Sequence, residues 1–198
     1  MEKVTLCLVR HGQAEHFDKC RFFGHTDIDL TDTGIKQMEI IAQKLKGISM
    51  EEVYSSDLKR ASKSASIIAS HWNKIPRKVP EFRELNFGKW EGLTWEEIDK
   101  RFPGGLKARF EDLINYKIPG GESLEDLQVR VLGKLKKILK GGEGKSILLV
   151  THGGVSRVIL CNALGLSLEN LFRIEQDYGC LNIIEYFKDT TVVKLVNG

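Results

Sequence analysis

The sequence predicts an α/β fold: a three-layer sandwich, a mostly parallel sheet with helices on both faces. Three observations carry that expectation. Two continuous apolar runs, Val4 to Val9 and the core of SILLVT at 146–151, suit strands buried on both faces. Segments with apolar residues at helical spacing alternate with the strand-like runs. No linker or low-complexity stretch interrupts the alternation.

The elements follow in order. After the first strand and a loop, Thr31 caps a helix with Ile35, Met38, Ala42 and Leu45 on one face, and Gly47 stops it. EEVYSS is a short strand. SDLKRASKSASIIAS is a helix burying Leu58, Ala61, Ala65 and Ile68. LTWEEI starts another helix, with Thr94 and Glu97 as a capping box and Leu93 and Ile98 as its hydrophobic staple. Ser123 caps the longest helix, with Leu124, Leu127, Val131, Leu135 and Ile138 inward. SILLVT is the second buried strand, followed by a helix from about Val155 to Leu164 that Gly165 ends. LNIIEYF and TTVVKLV read as a hairpin joined through KD. The stretch 82–121, rich in aromatics and glycines, breaks the rhythm and is expected to be a partly helical excursion over one end of the sheet.

The composition narrows the function classes. The chain has 198 residues, 41% hydrophobic and 29% charged, with a formal net charge of +3. That length suits one domain with a full core. Acids and bases are mixed along the chain, which argues against nucleic acid as a partner. No apolar run approaches the roughly 18 residues that cross a bilayer, so the expected location is cytoplasmic. Cys7, Cys20, Cys161 and Cys180 show no C-x-x-C spacing and read as reduced thiols, with neither a disulfide nor a zinc role.

Two histidines carry the functional argument. His11 and His152 each follow an apolar run and precede a glycine. In an open α/β sheet, ligands bind just beyond the carboxyl ends of the strands. If the two strands are neighbours, both imidazoles face one crevice. Arg10, beside His11, disfavours a metal there and favours an anion. Arg60 falls in the first turn of a helix that follows another strand, where the helix dipole also favours an anion. Two arginines and two histidines around one point describe a pocket for a phosphate dianion. Each histidine alone would read as a hydrogen-bonded core residue, and Arg60 alone as a solvated helix charge. Their matched contexts favour the site.

The segments LVRHGQ, SSDLKRA, ELNFGKWEG and VTHGG, with RFFGHTDIDLTDTG between the first two, resemble in order the histidine phosphatase superfamily, the phosphoglycerate mutase-like enzymes. The resemblance spans nearly the whole chain and implies the phosphoglycerate mutase-like fold over 1–198, with the 82–121 excursion covering the active site. It implies that His11 is the nucleophile and becomes a phosphohistidine, which water then hydrolyses. It places Arg10, Arg60 and His152 around the transferring phosphoryl group, with charge on its oxygens supplied without a metal or other cofactor. It places the acid that protonates the leaving alkoxide at Glu84, with Glu91 the nearest competitor. Glu84 must carry a proton at working pH. Partial burial near Leu85, Phe87 and Trp90, and the phosphate's negative charge, would favour that form. Gln13, Phe23, Gly24 and Gly153 are expected to contact the substrate. His16, His25 and Glu122 are further candidates, and His71 reads as a partner of a helix C-terminus.

The chain departs from the pattern at two places. The family often reads R-H-G-E-x-x-x-N, and here Gln13 and Phe17 stand at the Glu and Asn positions. Phe17 cannot supply an amide to phosphate. The compact chain favours hydrolysis over mutase action. ELNFGKWEGLTWEEI, IPGGES and above all QDYGCLNIIEY look like bacterial α-ribazole-5′-phosphate phosphatases of cobalamin assembly. Phe22, Phe23, Trp90, Trp95 and Tyr116 could then pack on a heteroaromatic base. The alternatives are a broad-specificity sugar-phosphate phosphatase, a phosphoglycerate mutase, and, in another class, a non-catalytic phosphate-ligand binder. The expected partner is a small-molecule phosphomonoester, with no nucleic acid and no membrane, on a monomer or homodimer.

Overall fold

The computed structural model describes residues 3–17 and 21–198, so Cys20 lies outside the described residues. The elements run β1 (Val4–Arg10), α1 (Asp32–Leu45), β2 (Glu52–Ser55), α2 (Lys59–Ala69), β3 (Arg77–Lys78), α3 (Trp95–Arg101), α4 (Gly105–Glu111), α5 (Leu124–Lys140), β4 (Ser146–Thr151), α6 (Gly153–Leu164), β5 (Leu181–Tyr186) and β6 (Thr191–Leu195). They form a six-stranded sheet in the order β3-β2-β4-β1-β5-β6. β1, β2, β3 and β4 are mutually parallel, and the β5–β6 hairpin adds antiparallel to β1. The sheet is thus mostly parallel and covered on both sides, as expected.

Alternation along β1 explains the three layers. Leu6 and Leu8 face a core with α5, α6 and the 82–121 excursion, while Cys7 and Val9 face a core with α1 and α2. Both faces are apolar, which is why the run reads as continuous. Cys7, Cys161 and Cys180 are free and buried.

Several local signals act as read. Thr31 accepts from the Gly34 amide at the start of α1. Thr94–Glu97 and Ser123–Asp126 both form capping boxes. Three details differ. α2 starts at Lys59, not at the Ser56–Asp57 with which the helical segment SDLKRASKSASIIAS opens; the Asp57 carboxylate is held by the Arg83 guanidinium at 2.7 and 2.5 Å and does not cap the helix. α6 starts at Gly153 rather than Val155. β3 has only two exposed, charged residues, a pattern that carries no strand signal in sequence. His71 lies in a single 3₁₀ turn, Ser70–Trp72, that extends α2.

Among the described residues no helix is long and apolar enough to cross a membrane.

Candidate active site

β1 and β4 are neighbours, with Val9 opposite Val150 and Arg10 opposite Thr151. The His11 amide continues the ladder to the Thr151 carbonyl at 2.9 Å. His11 therefore leaves the sheet beside His152, which is the N-cap residue of α6. Their ring centroids are 5.1 Å apart. Arg10, His11, Arg60, Glu84 and His152 line one cavity of about 290 Å³.

Two backbones cross tightly to make this turn. A Cβ on Gly12 would lie 2.3 Å from the Gly34 carbonyl oxygen, and one on Gly34 would lie 2.1 Å from that of Gln13. The glycines of RHG and TDTG are thus two sides of one close approach, which brings the start of α1 against the loop carrying His11.

His11 is 5% exposed and His152 is fully buried. His11 Nδ1 lies 2.7 Å from its neighbour's carbonyl, Gly12 O. That acceptor fixes the proton on Nδ1 and leaves Nε2 with a free lone pair. Burial, then Arg60 and Arg10, holds the His11 pKa well below the usual histidine range. Burial, then Arg60, His11 and Arg10, does the same to His152. Neither nitrogen of His152 has a hydrogen-bond partner among the described residues.

The cations are held from behind. Arg60, 2% exposed, donates to Thr26 O at 2.8 Å and Gly24 O at 2.6 Å. Arg10 donates to Gln176 O at 2.5 Å, and its Cζ lies 3.9 Å from the ring centroid of Tyr178. Glu84 reaches the start of α6, where its Oε2 accepts from the Gly154 amide at 2.9 Å. Among the described residues no group of three or more His, Cys, Asp or Glu is placed to hold a metal ion.

The structure sorts the remaining candidates. Phe23 lines the cavity, as do His16 and Phe17. Gln13 does not. Its Oε1 accepts from the Thr31 hydroxyl at 2.8 Å, so it braces the α1 cap. Gly24 lies behind Arg60, with its amide 3.1 Å from the Glu91 carboxylate. Gly153 sits beside Arg10 at the base of α6, outside the cavity lining. Glu91 takes the amides of Gly24, His25, Thr26 and Phe87 and the Thr26 hydroxyl, which makes it a loop staple. His25 and Glu122 also lie outside the lining. Of the five aromatics expected to meet a base, Phe22 and Phe23 line the cavity; Trp90 is fully buried and stacks on Tyr116, and Trp95 stacks on Phe110.

The sequence pattern of the Histidine phosphatase superfamily (branch 1) matches residues 6–198. The chain belongs to the histidine phosphatase superfamily.

Within that superfamily the chain is 30% identical to "Phosphoserine phosphatase 1" of Hydrogenobacter thermophilus, over 98% of this chain and 92% of that one. It is 37% identical to the "Metal-independent phosphoserine phosphatase" of Arabidopsis thaliana, over 80% of this chain and 68% of that one. Among solved structures, the alpha-ribazole phosphatase from Shigella flexneri superposes with a TM-score of 0.90 at 25% identity, covering 98% of this chain and 96% of that one. Membership makes this chain a phosphatase-family protein with a phosphoglycerate mutase-like fold.

Tyr178, like Glu15 and Arg21, is a residue of the cavity lining that sequence reasoning missed. It lines the cavity, covers Arg10 and lies with its centroid 5.6 Å from that of His11. QDYGC points to the site only through a resemblance. A single aromatic before a strand carries no signal of its own.

Proposed function

We propose that this chain is a metal-independent phosphomonoesterase acting through a phosphohistidine on His11. One observation carries the reading: the His11 ring has its proton committed to Gly12 O, and the ring lines a cavity shared with Arg10, Arg60 and His152. A neutral nucleophile and fixed cations are what phosphoryl transfer needs, since catalysis there is mostly positioning and charge stabilisation. As the Nε2–P bond forms, the bond from phosphorus to the alcohol oxygen breaks, and Glu84 gives that oxygen its proton. Water then attacks the phosphohistidine and releases inorganic phosphate. The 82–121 excursion, which contributes Glu84 and Phe87 to the lining, covers the active site of a single domain.

Two substrate readings have support. α-Ribazole-5′-phosphate, from cobalamin assembly, is supported by the QDYGCLNIIEY resemblance, by Phe22 and Phe23 in the lining, and by the name of the Shigella neighbour. Phosphoserine is supported by the names of the two curated relatives. Glu15 and Arg21 also line the cavity, offering a carboxylate for an ammonium and a guanidinium for a carboxylate.

The test is hydrolysis of an aryl phosphate with excess chelator, then a panel of α-ribazole phosphate, phosphoserine, 3-phosphoglycerate and common sugar phosphates ranked by kcat/KM. Turnover should survive the chelator and vanish in His11→Ala. Wild-type turnover in that variant would remove the nucleophile.

A further inference from the structure

The Glu84 carbonyl receives two side chains, and neither faces the cavity. Arg130, on α5, donates to it from Nη2 at 2.9 Å, and His25 Nε2 lies 3.0 Å from it. The same guanidinium donates from Nη1 to Glu81 O at 2.7 Å and to Arg83 O at 2.8 Å. Its remaining edge meets the Glu122 carboxylate twice, Nε to Oε1 at 2.7 Å and Nη2 to Oε2 at 2.8 Å. Glu122 in turn accepts the Asn86 amide at 2.9 Å, just past Glu84. Three carbonyls of the segment 81–86 thus hang on one planar fork, and the Asn86 amide hangs on the carboxylate that holds it.

That geometry has a consequence for Glu84. Its carboxyl must hold one place at the Gly154 amide, on the cavity that His152 also lines, and the regular structure of the segment carrying it is a single 3₁₀ turn, Pro80–Phe82. A guanidinium presents its donors in a fixed plane, so three carbonyls bound to it keep fixed relative positions. Misplacement of an acid by about 1 Å can cost on the order of a hundredfold in rate.

We infer that Arg130, locked by Glu122, is the positioning residue for the acid Glu84. The inference rests on the reading of Glu84 as the acid, and it goes further by assigning the R and E of GGES and its following helix to leaving-group protonation. A merely structural clamp would slow every substrate alike. A clamp that aims the acid slows only those substrates whose leaving group needs a proton.

The test compares kcat/KM for an aryl phosphate and an alkyl phosphate in wild type, Glu84→Gln, Arg130→Lys, Arg130→Met and the Arg130→Lys/Glu84→Gln double variant. Arg130→Lys keeps the charge that Glu122 needs, so it guards against loss of folding in Arg130→Met. Arg130→Lys should lose about tenfold more on the alkyl ester than on the aryl one, and that selectivity should vanish in the Glu84→Gln background. Equal slowing of both esters, or selectivity persisting without Glu84, overturns the inference. If Glu84→Gln itself shows no selectivity, the acid reading fails and the inference falls with it. If Glu84→Gln is selective while Arg130→Lys is not, the inference alone falls.

Discussion

The His11 and His152 rings meet edge to face, 5.1 Å between centroids with planes at 68°. Two imidazoles this close, buried with two guanidiniums, cannot both hold a proton cheaply. Burial and the arginines drive both toward the neutral form.

A pH experiment follows from that pair. His11 should keep the NMR shifts of a neutral imidazole as pH falls past 6.5, its ordinary value. Arg60→Gln removes a neighbouring cation, stabilises the imidazolium and should move the titration to higher pH. A histidine whose folded pKa is depressed contributes stability above the unfolded value, and that contribution is lost as pH falls from there toward the folded pKa. Protonation of wild-type His11 at or above pH 6.5 would contradict the electrostatic account.

Tyr178 offers a second test. Its ring lies against the Arg10 guanidinium at 3.9 Å. A cation–π contact of this kind contributes about 0.5–2 kcal/mol, or roughly two- to thirtyfold in binding. Tyr178→Ala should weaken inhibition by inorganic phosphate by about that factor, and Tyr178→Phe should restore it. If Tyr178→Phe is as weak as Tyr178→Ala, the hydroxyl and not the ring face is responsible.

The acid's place can be disturbed from the other side. A Cβ on Gly154 would lie 2.3 Å from Glu84 Oε1. Gly154→Ala should push the carboxyl aside and slow alkyl esters more than aryl ones, in the direction of Glu84→Gln. Loss of a general acid costs about 10²–10⁴ in rate for leaving groups that need it. Paired rate measurements on the two esters decide the matter.

One kind of substitution should act with opposite sign at two glycines. Gly12→Ala drives a methyl into the Gly34 carbonyl, with only 2.3 Å available, and should cost about 1–3 kcal/mol. Gly133 is exposed within α5, and a Cβ added there would meet no other described residue outside its own stretch of helix within 4 Å. There Gly→Ala should stabilise by up to about 1 kcal/mol. Urea unfolding midpoints check both, and a stabilising Gly12→Ala would disprove the close approach.

Much of the fold was legible in the sequence because its signals are local. The apolar runs of β1 and β4, the capping boxes at Ser123 and Thr94, and the helical spacing in α1 and α5 each act over a few residues. β3 escaped, since two exposed basic residues pair with β2 only because α2 delivers them there. In the site, His11, Arg10 and His152 were legible as strand-end residues. Gln13, Gly24 and Gly153 sit near the site but outside its lining. Nothing in their sequence context says which way a side chain at a turn will point.

The sequence by itself determined the alternation of strands and helices, the two histidines at strand ends and the family to which they belong. These are written in short-range periodicity and in ordered motifs. Only the tertiary structure decided that Gln13 braces the α1 cap and does not line the cavity, that Tyr178 covers Arg10, and that Arg130 and His25 meet at one carbonyl. Those choices depend on contacts between segments tens of residues apart, where packing sets direction and no local pattern carries the answer.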